Sequence, residues 1–291
     1  KKFEYTDVDK KSKIKTIGII AGIVLLIAVI GIIIGVSVSG KKKNDDDPKE
    51  KTNSIKLEVK LEELNEEKTV KLLGDGFTEL DSEEVDLYIN GTKEAKFSKT
   101  HSFTQGGTYE IEYKFSKSLK SCKRMFEKTD ITSVSLNFKS NDVTSTEYMF
   151  SSAEKLSSIN FGSFTSDNVE TMEGMFMGTK VQKLDLKSLK TAKVKSVVNL
   201  FADSSILSAY CSSFDLSKCT NFTGMFKGCT SSFNVDLKTS CYNQIKSHPE
   251  SGIDNVSVNL VDKPQSVKLI VEIGRYELQE SDSPIQLIGD L

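Results

Sequence analysis

The stretches FTSDNVETMEGMF at 164–176 and FDLSKCTNFTGMF at 214–226 have the same length and end in the same Met-Phe pair. This pair, with Leu-Phe as one variant, recurs five times at intervals of 24 to 26 residues. The ten residues of the pairs are Met125, Phe126, Met149, Phe150, Met175, Phe176, Leu200, Phe201, Met225 and Phe226. Residues 116–242 therefore form a tandem repeat of five units.

Other apolar residues keep a fixed distance from each pair. Those six and three positions before the pair share one face with it if the segment is a short helical turn. A triad with spacings of three and two follows, as in Val181, Leu184 and Leu186, and it indicates a short strand. One such unit cannot bury its own apolar side, whereas five stacked units form a continuous core. We expect the five phenylalanine rings to line up through this stack.

The repeat resembles that of BspA-like leucine-rich-repeat surface proteins, which are known from bacteria and protists. The residues that carry the resemblance are 164–176 and 214–229, with their Met-Phe pairs. The resemblance implies a leucine-rich-repeat-like solenoid that lies outside the cell and takes part in adhesion. It implies no enzymatic activity.

An uncharged segment of 22 residues precedes the repeats at 17–38. As a helix it would rise about 33 Å, and the hydrocarbon core of a bilayer is about 30 Å thick. We interpret it as a transmembrane helix, with a cleaved signal of unusual length as the alternative. Because a short tail precedes it and the bulk of the chain follows, we place the N-terminus in the cytoplasm and the repeats outside the plasma membrane.

Apolar and polar residues alternate between this segment and the repeats, as in Ile55, Leu57, Val59 and Leu61. That period is typical of strands, and Asn90-Gly91 is a hairpin signal. At the other end, residues 266–271 repeat the pattern of residues 54–59. We interpret this second stretch as the truncated start of another copy of the β domain.

The predicted fold class is α+β. It combines a single N-terminal transmembrane helix, a small β-sandwich-like module and a short leucine-rich-repeat-like α/β solenoid of about five repeats. The predicted segments are a cytoplasmic tail (1–15), a transmembrane helix (16–39), a linker (40–53), a small β domain (54–115), the repeats (116–242), a cap and linker (243–265) and the truncated second β domain (266–291).

The composition argues against several classes of protein. The 291 residues have a net charge of −2 and include two histidines, which is not the basic composition of a nucleic-acid-binding protein. The sequence has no metal-binding spacing of Cys or His, no glycine-rich phosphate loop after a strand and no recognisable catalytic set. We therefore expect no enzymatic activity, no cofactor and no metal.

Five cysteines are an odd number for an exported protein. Cys122, Cys211, Cys219 and Cys229 fall in core columns of the repeat and are interpreted either as small buried residues or as members of disulfides. The preferred bridge joins Cys211 to Cys241, because both lie near strand edges of adjacent units. A bridge between Cys219 and Cys229 is the second possibility.

Three Asn-X-Ser/Thr sequences begin at Asn90, Asn221 and Asn255. They are candidate glycosylation sites if the source is eukaryotic and the chain is exported. Asn90 is the best candidate because it lies in a predicted hairpin turn. The alternative is coincidence, since Asn, Ser and Thr are common in this chain.

The sequence favours a membrane-anchored cell-surface protein whose repeats mediate adhesion or interaction with a protein or glycan. A row of stacked units offers a long surface with many variable positions. The alternative is a structural coat protein that associates with copies of itself through its repeat modules. A signalling receptor is disfavoured, because the short tail has only Tyr5 as a notable residue.

Overall fold

The structure is a computed structural model that describes residues 51–81 and 84–262. In that part of the chain it contains twelve β-strands, one α-helix and two short 3-10 helices. The strands are β1 (Asn53–Leu61), β2 (Lys68–Lys71), β3 (Val85–Ile89), β4 (Thr92–Lys93), β5 (Thr100–Phe103), β6 (Gly107–Phe115), β7 (Ser133–Asn137), β8 (Ser158–Asn160), β9 (Lys183–Asp185), β10 (Ser208–Tyr210), β11 (Asn234–Leu237) and β12 (Ser257–Leu260). The helices are α1 (Thr239–Lys246) and the 3-10 segments Pro249–Ser251 and Ile253–Asn255.

The N-terminal strands bury one side of each strand, as their alternating sequence predicts. Ile55, Leu57 and Val59 of β1 are buried, whereas the residues between them are partly or fully exposed. β1 runs antiparallel to β6 over its whole length. The strand order in this six-stranded sheet is β4-β3-β6-β1-β7-β8.

The Asn90-Gly91 pair forms the predicted hairpin turn between β3 and β4. Asn90 has a φ of 48° and Gly91 a φ of 78°, as a type I′ turn requires. The Asn90 side chain accepts a hydrogen bond from the backbone N–H of Glu110 at 2.8 Å. This bond ties the turn to β6.

The six-stranded sheet continues into the repeats. β7, the strand of the first unit, pairs antiparallel with β1 and places Val134 opposite Leu57. β8, the strand of the second unit, pairs parallel with β7. The strands β2 and β5 form a sheet of two strands only. The predicted β-sandwich-like module is therefore wrong, because one sheet is built from the N-terminal strands and from the first two units together.

Successive units lie side by side and are joined by main-chain hydrogen bonds. The Phe126 N–H donates to Met149 O at 2.8 Å, and one unit later the Phe150 N–H donates to Met175 O at 2.9 Å. Parallel bridges also join the residues four positions before each pair, namely Ser121, Ser145, Thr171, Ser196 and Asn221. Each unit thus satisfies main-chain groups of its neighbour.

The turn that carries each Met-Phe pair is not helical. Arg124 and Lys128 of the first unit have φ angles of 57° and 53°, whereas an α-helix needs about −63°. The equivalent positions of the other units also have positive φ, namely Tyr148, Ser152, Gly174, Gly178, Asn199, Asp203, Gly224 and Gly228. The Arg124 N–H donates to Glu147 O in the next unit. The predicted helical turn is wrong, because these amides bond between units and not along a helix.

The predicted row of phenylalanine rings is confirmed. Consecutive ring centres of Phe126, Phe150, Phe176, Phe201 and Phe226 are 5.4, 5.7, 5.8 and 5.5 Å apart. The corresponding angles between ring planes are 14°, 5°, 10° and 28°. At these separations near-parallel rings are offset, which is a favourable arrangement of aromatic quadrupoles.

The strand sides of the units form two separate ladders. β9, β10, β11 and β12 form a four-stranded parallel sheet, and among the described strands no pairing joins β8 to β9. In the fifth unit Phe233 is buried, whereas Ser232, which the triad spacing placed inside, is exposed. Phe233 takes the buried position of Ser232, because its ring packs against those of Phe201 and Phe226, with ring centres 5.5 and 5.8 Å apart.

A partial sixth unit closes the stack. The Phe226 N–H donates to Ser251 O at 2.8 Å, in the place where the Phe201 N–H donates to Met225 O. Gly252 therefore occupies the position of the next phenylalanine, and the row of rings ends there. The helix α1 adds the buried Cys241 and Ile245 to the same core.

The predicted fold class is wrong. The regular secondary structure of the described chain is mostly strand, with one α-helix of eight residues, so the repeats are not the α/β units of a leucine-rich-repeat-like solenoid. No helix within residues 51–81 and 84–262 is long and apolar enough to cross a membrane. Residues 16–39, for which the sequence predicts a transmembrane helix, lie outside the described residues.

We expect Gly74→Ala to lower the free energy of unfolding by about 3 kcal/mol or more. The Gly74 N–H donates to Met125 O at 2.8 Å, and a Cβ built on Gly74 would overlap the backbone carbonyl oxygen of Arg124. Backbone cannot rotate aside as a side chain can. Urea unfolding followed by circular dichroism measures the loss.

Gly91→Ala is the matched control. Gly91 has a positive φ, but nothing lies within 4 Å of an added Cβ. This substitution should cost only the roughly 1–2 kcal/mol of a left-handed alanine. An equal or smaller loss for Gly74→Ala would show that the segment around Gly74 does not dock on the first unit as described.

We expect Phe176→Ala to cost about 3–5 kcal/mol, because it removes a buried ring from a close-packed core. Phe176 is 1% exposed and stacks between Phe150 and Phe201. Phe97→Ala is the control, since Phe97 is only partly buried and makes an edge contact with Tyr113. If both variants unfold at the same urea concentration, the row of rings is not a main source of stability.

Candidate functional site

The repeat residues singled out by the sequence form the core and not a site. All ten members of the Met-Phe and Leu-Phe pairs have an exposure of 0 or 1%. Their side chains are enclosed by neighbouring units and present nothing to a ligand. A functional surface must therefore be built from other positions of the same units.

The strands present two rows of outward side chains, on either side of each buried central residue such as Val134. One row consists of Tyr88, Glu112, Lys56, Ser135 and Asn160 in the six-stranded sheet and Asp185, Tyr210, Asp236 and Asn259 in the parallel sheet. The other consists of Glu110, Glu58, Ser133 and Ser158, then Lys183, Ser208, Asn234 and Ser257. We call the surface formed by these two rows the outer face.

The part of the outer face on the six-stranded sheet is a shallow cleft of about 350 Å³. Lys56 Nζ lies 3.7 Å from Glu112 Oε1, and the Lys114 ammonium lies 4.8 Å from the centre of the Tyr88 ring. Exposed ion pairs of this kind contribute only about 0–1 kcal/mol each. These side chains can therefore exchange their contacts for contacts with a ligand at small cost.

A small network of charges is centred on Asp86 of β3. Asp86 Oδ1 lies 3.0 Å from Lys51 Nζ and 2.9 Å from Lys93 Nζ. The hydrogen bond from Lys93 lowers the pKa of Asp86. The carboxylate therefore stays ionised at neutral pH and fixes two lysines beside the outer face.

The part of the outer face on the parallel sheet is centred on Tyr210. The ammonium groups of Lys187 and Lys183 lie 4.8 and 5.4 Å from the centre of its ring. Asp236 Oδ1 accepts a hydrogen bond from Asn259 Nδ2 at 3.0 Å. A second cleft opens beside Tyr210, between β8 and β9.

The outer face offers hydroxyls, amides, single charges and two tyrosines, which can form hydrogen bonds and ion pairs with a polar ligand. Within residues 51–81 and 84–262 no group of three His, Cys, Asp or Glu side chains is placed to hold a metal ion. His248 contacts the Phe222 ring at 4.6 Å between centres, and His101 contacts Phe103 at 4.7 Å.

The three candidate glycosylation sites are all exposed. Asn90 lies in the β3–β4 turn, and Asn255 ends the second 3-10 segment. Asn221 Oδ1 accepts a hydrogen bond from the Thr223 N–H at 3.2 Å. A glycan can reach each side chain, and their use stays a prediction.

The five cysteines are buried and free. Burial raises the pKa of Cys211 and Cys122 and raises the pKa of Cys241 to about 12. Cys229 Sγ donates to Phe201 O at 3.2 Å. The thiols thus act as small buried residues in this structure, and the bridges Cys211–Cys241 and Cys219–Cys229 stay predictions.

Sequence reasoning missed the residues of the outer face, above all Tyr210, Lys183 and Lys187. The triads with spacings of three and two identified the inward positions of each strand. The residues on either side of the central triad member, such as Lys183 and Asp185 beside Leu184, must then point outward. The sequence pattern thus identifies the outward positions of each strand. It does not show which outward residues of neighbouring units contact one another, as Lys183 and Lys187 contact Tyr210.

The buried thiols should react slowly with iodoacetamide in the folded chain. With a pKa of about 12, Cys241 is almost fully protonated at pH 8, and the thiolate is the reactive form. Mass spectrometry should find no alkylated cysteine before unfolding and all five after it. Rapid alkylation of Cys122 in the folded chain would contradict its place in the core, and alkylation of only three thiols in the unfolded, unreduced chain would reveal a bridge.

Residues 120–242 match the family model described as "Mycoplasma protein of unknown function, DUF285". No curated protein and no solved structure matches the chain. The matched segment begins just before the first Met-Phe pair and ends within α1. The repeat block is thus similar to a family whose description names no activity.

Proposed function

We propose that the chain is a non-enzymatic, membrane-anchored cell-surface protein that binds a protein or glycan partner through its outer face. The resemblance to BspA-like repeats also implies a protein that lies outside the cell and takes part in adhesion. The observation that carries the proposal is the separation of inward and outward residues in every strand of the stack. The inward residues hold the fold together, and the outward ones are polar and meet one another in exposed ion pairs, hydrogen bonds and cation–π contacts.

The geometry of the outer face supports binding of an extended partner. Paired strands are about 4.8 Å apart, so within each of the two sheets every unit adds two side chains to the rows at a regular spacing. The two rows hold Ser, Asn, Asp, Glu, Lys and Tyr side chains. Such side chains form hydrogen bonds of either polarity, and tyrosine adds contact area at low entropic cost.

The proposed location rests on the sequence. Residues 17–38 are uncharged, and the charged residues 40–53 would form a solvated linker to the repeats. At a cell surface, an extended row of binding positions can contact proteins and glycans outside the cell. The proposed arrangement keeps the N-terminus in the cytoplasm and the outer face outside the plasma membrane.

Self-association as a coat protein is a second candidate, and one observation favours it. Among the described strands β12 pairs with β11 only. A strand edge of this kind can pair with a strand from another copy. In that case the chain would bind copies of itself instead of a different partner.

We expect Ser158→Trp to abolish binding of whichever partner a screen of cells, matrix proteins and glycans identifies. Ser158 is exposed in the outer face and lines both clefts, so an indole there would cover the surface. Ser240→Trp is the matched control, because Ser240 is exposed on α1. Partner binding is measured with the full chain in an uncharged detergent.

Equal binding by the two variants would contradict a role for the outer face. Sedimentation velocity of the same samples separates the two candidates. Association that grows with protein concentration, without binding to any other molecule, would support the coat protein.

A further inference from the structure

The cleft between β8 and β9 is a wedge that opens on the strand side only. No pairing joins these two among the described strands. On the other side of the same two units, the Tyr148 N–H donates to Glu173 O at 2.8 Å. The Phe150 and Phe176 rings stack there with their centres 5.7 Å apart. The units are therefore held together at one side and spread at the other.

The walls of the wedge have polar groups that are free to bind. Ile159 of β8 is only partly buried, whereas Leu184 at the same position of β9 is 2% exposed. The Ser158 hydroxyl forms no hydrogen bond to any described residue, while the Ser157 hydroxyl donates to Thr132 O at 3.0 Å. Main-chain groups of β8 and β9 that would pair in a closed ladder also face the wedge.

Two lysines at the mouth of the wedge lie against the same tyrosine ring. The ammonium groups of Lys183 and Lys187 lie 5.4 and 4.8 Å from the centre of the Tyr210 ring, which holds them by cation–π attraction. Neither ammonium is within 4.0 Å of a carboxylate of the described residues, whereas Lys195 pairs with Glu170 at 2.7 Å in the same stack. Two ammonium groups that have no carboxylate partner attract an anionic ligand.

One carboxylate is close to the pair, but it does not neutralise both cations. Asp185 lines the wedge, and its Oδ1 accepts a hydrogen bond from the backbone N–H of Lys187 at 3.1 Å. Two lysines and one aspartate leave an excess positive charge at this position. An anionic group is the complementary ligand.

We infer that the wedge binds an acidic saccharide, whose carboxylate or sulfate groups pair with the ammonium groups of Lys183 and Lys187. The Ser158 hydroxyl and the open strand edges then form hydrogen bonds with the sugar hydroxyls. This inference rests on the proposed function and names the class of its partner. It makes the β8–β9 wedge the specific part of the outer face.

The shape of the wedge favours a saccharide over an acidic peptide strand. A strand inserted between β8 and β9 needs about 4.8 Å on each side, so the two strands would have to stand about 9.6 Å apart. The stacked rings keep the same units 5.7 Å apart at the closed side. A compact anionic group fits an opening of this shape without breaking the stack.

The test is binding of the full chain, in an uncharged detergent, to oligosaccharides of hyaluronan and chondroitin sulfate. Maltohexaose is the neutral sugar, and poly-glutamate is the acidic peptide. Lys183→Gln with Lys187→Gln should weaken binding of the acidic oligosaccharides about 100-fold, because each charged hydrogen bond contributes roughly tenfold. Tyr210→Phe should bind as the wild type does, since the ring that holds the lysines remains.

Lys218→Gln with Lys227→Gln is the matched control, because both lysines are exposed outside the strands and the change in net charge is the same. Equal weakening by the two double variants overturns the assignment, and so does tighter binding of poly-glutamate than of the acidic oligosaccharides. A wild-type chain that binds neither acidic glycan also overturns it. In that last case the proposed function still stands if Ser158→Trp abolishes binding of another partner.

Discussion

Main-chain hydrogen bonds between neighbouring units set the spacing on which the rest of the structure depends. The Phe126 N–H reaches Met149 O at 2.8 Å, and three units later the Phe201 N–H reaches Met225 O at 2.9 Å. With this spacing the phenylalanine of each Met-Phe or Leu-Phe pair lies over its counterpart in the next unit. Columns of phenylalanine can then stack face to face, with ring centres 5.4 to 5.8 Å apart.

The same spacing couples the residues of adjacent units. The residue before each Met-type position has positive φ. The Arg124 guanidinium lies 5.0 Å from the centre of the Tyr148 ring. A Cβ on Gly174 would come within 2.5 Å of that ring. The large ring in the second unit is thus accommodated by a glycine in the third, so the units are not interchangeable.

Inward and outward residues have different roles in this stack. Val134, Leu184 and Val235 are buried and determine how the units pack. Their neighbours along the strand point outward and can change without disturbing that packing. Strand pairing is interrupted between β8 and β9. The outer face has a cleft at that position, and the cleft is lined by two lysines and one aspartate. This division explains how a uniform repeat can carry one specific binding position.

Hydrophobic periodicity was enough to predict the repeat, the row of rings and the one-sided burial of β1, and the Asn-Gly pair was enough to predict the hairpin at Asn90-Gly91. Periodicity was not enough to predict the conformation of the turn around each Met-Phe pair. A short helix and a turn with residues of positive φ bury side chains at the same sequence positions. The two differ in where the amides bond, and the Arg124 N–H bonds to Glu147 in another unit. The pairing of β1 with β7 and the β8–β9 wedge likewise depend on contacts between residues far apart in the chain. Local sequence patterns therefore predict which side chains are buried. Only the tertiary structure shows which strands pair and where the pairing between units is interrupted.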